Sequence, residues 1–302
     1  MEKLIILTGP TGVGKTKISL EIARKFNCQI ISADSMQIYK GLDIGTDKIV
    51  SEDNNIKHYM IDIIEADENF SVADFQLRAK KIISQLNKKN IIPLVVGGTG
   101  LYINSLVYNL DFSTTSNDPK LREKLNREAE IHGTQYLYDK LLKLDKETAL
   151  LIDSNNRNRI IRAIEIIFNG GKKDNNFRSE NNEYDLIFLG LNMDRQKLYK
   201  KIDNRVDVML EKGLVNEVEK LLDSGLSEES QSLKAIGYKE VISYLKGEIS
   251  YNQMAEDIKK SSRHYAKRQL TWFRRDERIK WFNREDEDIL NQIFKFVGDR
   301  IE

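Results

Sequence analysis

The sequence predicts an α/β fold in which a parallel sheet is flanked by helices. Short apolar runs at 3–8, 28–33 and 91–98 have the length and composition of buried parallel strands. Between them, residues 16–26 and 71–87 repeat apolar side chains with helical spacing. Strands that alternate with helices form parallel sheets with helices on both faces, and this order therefore predicts the fold class.

The loop after the first strand, "GPTGVGKT" at residues 9–16, has the spacing of a phosphate-binding P-loop. Its glycines allow consecutive backbone N–H groups to turn towards phosphate oxygens, and the following helix directs its positive end at them. Lys15 adds a mobile positive charge, and the Thr16 hydroxyl is a candidate ligand for Mg²⁺. We therefore predict a P-loop NTPase-like core that binds a polyphosphate. The predicted binding residues are Gly9, Pro10, Thr11, Gly12, Val13, Gly14, Lys15 and Thr16.

A fourth strand is predicted at 184–191, after a long interruption that is polar and helical in pattern. The interruption, 113–183, is predicted to be a helical insertion domain, so that the core comprises 1–112 and 184–302. More helices are expected after the fourth strand. Near the end of the insertion, the composition of 170–182 predicts a mobile loop.

The composition excludes several classes of protein. The 302 residues carry a net charge of +1 and a single cysteine, which excludes an intrachain disulfide and a thiolate zinc cluster. The chain starts with a strand rather than a signal peptide, and its apolar runs are shorter than the roughly 20 residues that span a bilayer. A cytoplasmic protein without a membrane partner is expected.

Polar residues follow the second predicted strand, and glycines end the third. Asp34 and Ser35 come directly after the second strand, and ligands of open α/β sheets bind at such carboxyl ends. Asp34 can accept a proton, ligate Mg²⁺ or cap a turn. The third strand ends in glycines and Thr99, which suits close approach of a substrate better than activation of water. Asp62, which also follows apolar residues, leaves an ATPase function open.

Two groups of basic residues are candidates for nucleic-acid binding. Arg159 and Arg162 share a helix face, which suits phosphodiesters, although a solvated helix face is the usual explanation. Residues 259–282 interleave basic with aromatic side chains, a pairing that suits looped or single-stranded RNA. An amphipathic helix that packs its aromatic side chains on the core explains the same pattern, and both interpretations stay open.

Nine motifs follow one another from about residue 4 to residue 275. They are "GPTGVGKT", "ADSMQIYKGLDIGT", "HYMIDI", "FSVADF", "VVGGTGLYI", "NRIIRAIE", "RVDVMLEKGLVNEV", "AIGYKE" and "YAKRQLTWFR". This ordered set resembles the tRNA dimethylallyltransferases, also called tRNA isopentenyltransferases. The resemblance implies a prenyltransferase that moves a dimethylallyl group from dimethylallyl diphosphate to N6 of the adenine next to the anticodon, on its 3′ side.

The resemblance also implies roles for individual residues. Asp34 corresponds to the general base that receives the N6 proton, and Thr99 lies by the reacting centre. Residues 9–16 and Arg205 correspond to the groups that hold the diphosphate, with Mg²⁺ on Thr16. The residues implied to contact the anticodon stem-loop of tRNA are Asp34, Ser35, Met36, Gln37, Thr99, Asn158, Arg159, Ile160, Ile161, Arg162, Lys234, Gly237, Tyr238, Lys239, Lys267, Arg268, Gln269, Trp272 and Arg274.

Three other functions are compatible with a P-loop and a nearby carboxylate. A small-molecule kinase would hold ATP in the loop and use Asp34 to activate a hydroxyl. An adenylate isopentenyltransferase would prenylate a free nucleotide instead of tRNA. A non-enzymatic RNA-binding protein would use the nucleotide as a switch. For the prenyltransferase, a monomer is expected.

Overall fold

The computed structural model describes residues 1–48, 56–110, 118–169 and 179–301. These residues fall into two compact units. The first comprises Met1–Val107 and Asn181–Glu302, and the second is Tyr108–Glu180. The helical insertion was predicted at 113–183, and its predicted mobile loop at 170–182 lies mostly outside the described residues.

The first unit is built on a parallel sheet. Among the described residues, six strands pair in the order β3-β2-β4-β1-β5-β6. Their bounds are Glu2–Thr8 (β1), Cys28–Ala33 (β2), His58–Tyr59 (β3), Ile92–Gly97 (β4), Tyr184–Asn192 (β5) and Lys280–Asn283 (β6). Every pairing is parallel, which confirms the predicted sheet.

The central strands end side by side. Thr8 of β1 pairs with Gly97 of β4, and Gly97 also pairs with Ala33 of β2. A side chain at Gly97 is excluded, because a Cβ there would lie 2.2 Å from the Ala33 carbonyl oxygen. The loops that follow these three strands therefore leave the sheet at the same edge.

Helices cover the sheet, as the alternating pattern predicted. In the first unit they are Lys15–Phe26 (α1), Val72–Asn87 (α2), Gly100–Val107 (α3), Arg195–Glu211 (α8), Leu214–Asp223 (α9), Tyr238–Leu245 (α10), Tyr251–Phe273 (α11) and Ile289–Ile301 (α12). Side chains of α1, α8 and α12 join the sheet in one buried apolar core. The helix α2 begins after the N-cap Ser71, which accepts a hydrogen bond from the Asp74 N–H, and Asp74 accepts one from the Ser71 N–H.

The second unit is helical. Its described helices are Pro119–His132 (α4), Thr134–Leu144 (α5), Lys146–Leu150 (α6) and Arg157–Phe168 (α7). They enclose a separate apolar core that includes Leu125, Leu137 and Ile160. Beside this core lies the Glu165 carboxylate, whose side chain is 1% exposed. It accepts hydrogen bonds from Arg122 at 2.7 and 3.0 Å and from Arg162 at 3.3 Å.

Two short strands were missed by the sequence analysis. The strand β3 has only two residues, too few for an alternating pattern to be recognised. The strand β6 starts within the segment 259–282, which was treated as a single basic and aromatic stretch, and ends one residue beyond it. The structure divides that stretch into the long helix α11, a turn and the edge strand β6. In the described part of the chain, no helix combines the length and apolar character needed to cross a bilayer.

Replacing Glu165 with alanine is expected to lower the free energy of unfolding by about 2–3 kcal/mol. The change leaves two guanidinium groups without their shared carboxylate, although partial exposure of both arginines moderates the effect. Denaturant unfolding of the full chain measures the change. Glu123→Ala, an exposed position on the same helix as Arg122, is the control and should shift stability by less than about 0.5 kcal/mol. Equal shifts in both variants would show that the buried carboxylate is not a stabilising group.

Candidate functional site

The P-loop connects β1 to α1 at the edge where the central strands end. Gly14 takes a left-handed conformation, with φ of 89°, just before the helix starts. The Lys15 ammonium group turns back over the loop and donates hydrogen bonds to the carbonyl oxygens of Gly9, at 3.0 Å, and Pro10, at 2.9 Å. The loop and its lysine thus form one compact cationic element.

The Lys15 amine is in an environment that disfavours its charge. Burial lowers its pKa from 10.5 to about 8, an effect that the Asp34 carboxylate opposes and the Arg205 guanidinium reinforces. An anion in the loop would favour the protonated amine. The three residues that the sequence analysis assigned to the reaction, Lys15, Asp34 and Arg205, therefore lie within electrostatic reach of one another.

Arg205 approaches the P-loop from α8. One of its terminal nitrogens donates a hydrogen bond to the Thr11 hydroxyl at 2.5 Å, and its Nε lies 3.4 Å from an Asp47 carboxylate oxygen. The guanidinium group thus joins the P-loop to the loop that follows β2. This position agrees with the expected contact between Arg205 and a bound diphosphate.

Asp34 and Thr99 stand at the ends of neighbouring strands, β2 and β4. The Asp34 carboxylate accepts a hydrogen bond from the Met36 N–H at 2.9 Å, which closes a tight turn. The Thr99 hydroxyl accepts one from the Ser35 N–H at 3.1 Å, and the Thr99 N–H donates to the Ala33 carbonyl oxygen at 3.2 Å. The two side chains are therefore brought together by the backbone of the loops that carry them.

The helix α11 contributes a polar connection between these loops. The Gln269 side chain is buried, accepts a hydrogen bond from the Thr11 N–H at 2.8 Å and donates one to the Gly98 carbonyl oxygen at 2.9 Å. One turn earlier on α11, the Tyr265 side chain is hydrogen-bonded to the Thr99 side chain. Burial, reinforced by the Asp34 charge and opposed by the Thr99 bond, raises the pKa of Tyr265 to about 12, so its hydroxyl stays protonated.

A cavity of about 340 Å³ opens beside these groups within the first unit. Its wall contains Thr11, Asp34 and Arg205. Apolar side chains from α8, α9, α11 and the segment before α10 line it as well: Ile202, Val206, Met209, Leu214, Ala235, Ile236 and Ile258. Three exposed cations, Lys234, Lys239 and Arg268, also line it. The cavity thus combines polar and charged groups with a large number of apolar side chains.

The residues expected to contact tRNA separate into exposed and buried groups. Exposed side chains in the first unit are those of Lys234, Lys239, Lys267, Arg268 and Arg274. In the second unit Asn158 and Arg159 are exposed, whereas the half-buried Arg162 pairs with Glu165.

Four members of the set have buried side chains: Ile160, Ile161, Tyr238 and Gln269. We revise the prediction for these four to a supporting role, because an RNA surface cannot reach a buried side chain. The two isoleucines pack in the core of the second unit. Gly237 is also buried, although it lines the cavity. The half-buried Trp272 covers Gly100 and donates a hydrogen bond to Asn104 at 3.3 Å.

Arg284 was not identified from the sequence, where it lies in a charged run after β6 that is typical of a solvated loop. Its Nε atom is buried without a hydrogen-bond partner in the described part of the chain, and a Cβ on Gly14 would lie 3.3 Å from it. A further cation thus lies next to the P-loop.

Asp62 was the alternative candidate for the acid of an ATPase. Its carboxylate accepts a hydrogen bond from the buried ammonium group of Lys48.

The donor groups of the site fit Mg²⁺ that is shared with a phosphate. In the described ranges, no cluster of three or more histidine, cysteine or carboxylate side chains could hold a metal by itself. Mg²⁺ is commonly held by one or two protein ligands together with substrate phosphates and water. The exposed Thr16 hydroxyl in the first turn of α1 provides such a ligand next to the phosphate loop.

Comparison with known proteins gives one consistent result. The family model described as IPP transferase matches residues 37–276. The chain is similar to the tRNA dimethylallyltransferase of Clostridioides difficile, with 47% identity over 99% of this chain and 98% of that protein. It is also 47% identical to the tRNA dimethylallyltransferase of Acetivibrio thermocellus, over 98% of this chain and 96% of that protein.

Solved structures agree with the sequence relatives. The tRNA isopentenylpyrophosphate transferase of Bacillus halodurans is 41% identical and superposes with a TM-score of 0.76, over 100% of this chain and 97% of that one. A eukaryotic dimethylallyltransferase whose structures show it acting on tRNA is 29% identical, with a TM-score of 0.82 over 100% of this chain and 78% of that one.

Inorganic pyrophosphate is expected to bind the P-loop more weakly as the pH rises above about 8, by up to tenfold per pH unit, because Lys15 loses its proton there. An anion raises the pKa of the amine that it contacts, so the affinity is fully present below this pH. Titration calorimetry between pH 7 and 10 measures the trend. Lys15→Arg, which keeps its charge throughout the range, is the control for the ionisation of pyrophosphate itself. Parallel pH profiles for the two proteins would contradict the prediction.

Proposed function

We propose a specific reaction for this chain, which belongs to the IPP transferase family. The curated relatives of the chain are tRNA dimethylallyltransferases. The enzyme is a prenyltransferase and its substrate is tRNA. The proposed reaction moves the dimethylallyl group of dimethylallyl diphosphate to N6 of the adenine on the 3′ side of the anticodon. The diphosphate occupies the P-loop and the adenine enters the cavity.

One observation carries the proposal: a single cavity is lined by Thr11, Arg205 and Asp34 and also by apolar side chains of α8, α9 and α11. A five-carbon prenyl group fits the apolar side chains, whereas its diphosphate requires the cationic loop that contains Thr11. The Asp34 carboxylate lines the same cavity. This arrangement suits attack on an allylic carbon by a nucleophile whose proton is taken up by Asp34.

The exocyclic N6 group is a weak nucleophile, because its lone pair is delocalised into the purine ring. In the proposed step, the N6–carbon bond forms while the bond between that carbon and the diphosphate oxygen breaks. The N6 proton passes to the Asp34 carboxylate. The Met36 N–H holds this carboxylate in its turn, and the Thr99 hydroxyl holds the next residue by accepting a hydrogen bond from the Ser35 N–H.

The departing diphosphate gains negative charge as the bond breaks. The backbone N–H groups of the P-loop, the Lys15 ammonium group and the Arg205 guanidinium group are positioned to stabilise that charge. We propose that Thr16 ligates Mg²⁺, which would supply further neutralisation of the leaving oxygens. Lys15 exchanges its bonds to the Gly9 and Pro10 carbonyl oxygens for bonds to phosphate.

An adenine stacked within an anticodon loop cannot reach the cavity, so the base must leave the stack. The exposed cations that line the cavity or lie on α11 are suited to the flanking phosphates. Two alternatives are less suited to this surface. A kinase or an adenylate transferase acts on a small molecule, and neither function requires exposed cations such as Lys267, Arg268 and Arg274. We also propose a monomer, because the catalytic groups of the cavity come from one unit of one chain. A cytoplasmic location is proposed as well.

Asp34→Asn is expected to lower kcat for prenyl transfer to an unmodified anticodon stem-loop by about 10²- to 10⁴-fold, because the amide cannot accept the N6 proton. The dissociation constants for RNA and pyrophosphate should stay within about twofold of wild type. Transfer is measured with labelled dimethylallyl diphosphate and Mg²⁺, and Asp67→Asn, at an exposed position, is the control. AMP replaces RNA in a parallel reaction. Label that appears on AMP and never on RNA would refute the proposed substrate.

Removing the charges of Lys267 and Arg268 together is expected to weaken binding of the stem-loop. It should also reduce the slope of log K against log salt concentration by about one for each phosphate that is no longer neutralised. Both side chains are exposed on α11. The control removes two exposed cations from other elements, Lys280 on β6 and Lys295 on α12. Binding is measured by fluorescence anisotropy over a range of salt concentrations. The same slope in both double variants would show that Lys267 and Arg268 do not bind phosphates.

A further inference from the structure

The loop that follows β2 is held by a side chain far away in the sequence. Glu217, on α9, accepts hydrogen bonds from three successive backbone N–H groups, those of Asp43 at 3.0 Å, Ile44 at 2.7 Å and Gly45 at 3.2 Å. Its Oε1 also accepts one from the Tyr238 hydroxyl at 2.6 Å. A single carboxylate thus satisfies four donors, three of which belong to the backbone of residues 43–45.

The ring of Tyr238 lies directly over this part of the loop. A Cβ on Gly45 would come within 2.4 Å of the ring, so residue 45 has no room for a side chain. Tyr238 is fully buried, and burial together with the neighbouring Glu217 charge raises its pKa well above the ordinary value. Its hydroxyl therefore stays protonated at neutral pH and donates its hydrogen bond to Glu217.

The part of the loop that Glu217 holds forms one wall of the cavity. Gly45 and Thr46 line the cavity together with Met36. The Thr46 carbonyl oxygen accepts a hydrogen bond from the Gln37 amide at 3.2 Å, and the Gln37 oxygen accepts one from Ser32 at 2.9 Å. The position of residues 43–45 therefore decides where this wall and the Gln37 side chain stand.

Lys48 fixes the far end of the same loop. Its ammonium group, with a side chain that is 6% exposed, donates to the Tyr39 carbonyl oxygen and to the carboxylates of Asp43 and Asp62. These partners lie within the loop or in the segment after β3. Glu217 and Tyr238, by contrast, connect the loop to the helical part of the cavity, α9 and α10.

We propose that Glu217 and Tyr238 are positioning residues for RNA, which hold the cavity wall of Gly45 and Thr46 at the place where the adenine enters. The inference rests on the proposed function. It adds the hydrogen bonds of Glu217, which do not involve either substrate. The P-loop is positioned by other groups, because the Thr11 N–H donates to Gln269 and Arg205 donates to the Thr11 hydroxyl. Asp47 of the same loop pairs with Arg205, but Glu217 bonds residues 43–45 and not Asp47. Loss of the Glu217 hydrogen bonds should therefore affect RNA more than pyrophosphate.

Glu217→Gln distinguishes the role of the charge from that of the side chain's size. The amide keeps one acceptor oxygen but directs an NH₂ group at two of the four donors, which then lose their acceptor. Tyr238→Phe is milder, because the ring still covers Gly45 and only one hydrogen bond is lost. Glu219→Gln is the matched control on the same helix, at an exposed position.

The test measures KM and kcat with the anticodon stem-loop, the dissociation constants for RNA and for pyrophosphate, and amide hydrogen exchange. Glu217→Gln is expected to raise KM and the dissociation constant for RNA about tenfold, and Tyr238→Phe about threefold. Pyrophosphate binding should stay within about twofold of wild type. The amide protons of Asp43, Ile44 and Gly45 should exchange faster in Glu217→Gln and at the wild-type rate in Glu219→Gln.

Each other outcome overturns the inference. An unchanged KM for RNA would mean that the wall does not need Glu217, and equal losses for RNA and pyrophosphate would mean that the residue only stabilises the fold. If Glu217→Gln does not fold, Tyr238→Phe decides by the same two criteria. The proposed function fails separately, when the wild-type protein transfers no label to RNA. RNA affinity and hydrogen exchange still test the positioning role in that case.

Discussion

Hydrogen bonds between β1, β4 and β2 hold Thr8, Gly97 and Ala33 side by side, and the three loops of the site start from this row. Gly97 has no side chain that could separate the strands. As a result, the P-loop, the loop that carries Asp34 and the loop that carries Thr99 diverge from neighbouring points. The distances within the site depend on this register, because short loops leave little freedom to adjust them.

Helices outside the sheet contribute side chains that bond to the loops at the strand ends. Gln269 bonds to both the P-loop and the end of β4, and Arg205 joins the P-loop to the loop after β2. Both side chains come from long helices that are anchored in the apolar core by other faces. A leaving group that gains charge is best stabilised by donors that do not need to reorganise, and rigid supports of this kind provide such donors.

Much of the fold and part of the site could be predicted from the sequence, because the responsible signals are local. The P-loop spacing, the apolar strands and the helical periodicity each lie within a few consecutive residues. Asp34 was placed correctly beside the loop by its position after a strand. The roles of Gln269, Glu217 and Arg284 depend on contacts between residues far apart in the chain, and no local pattern shows them.

The motif "NRIIRAIE" shows that a local motif can also assign too many residues to one surface. Its resemblance assigned a run of five residues, 158–162, to one surface, although a helix turns by about 100° per residue. Within that run the structure exposes Asn158 and Arg159 and buries Ile160 and Ile161. The strand β6 was missed because it has only four residues and follows a basic helix, so that no strand pattern stands out from the surrounding sequence.

The close approach of Gly45 to the Tyr238 ring also restricts how this chain can change over evolutionary time. Because a methyl group on residue 45 would stand only 2.4 Å from the ring, a mutation at that position is open only to a lineage that has already replaced the tyrosine. Loss of the ring in turn leaves a void above the loop and the Glu217 carboxylate without one donor. A change at either position alone is therefore expected to cost stability, so each of the two residues restricts what the other can become.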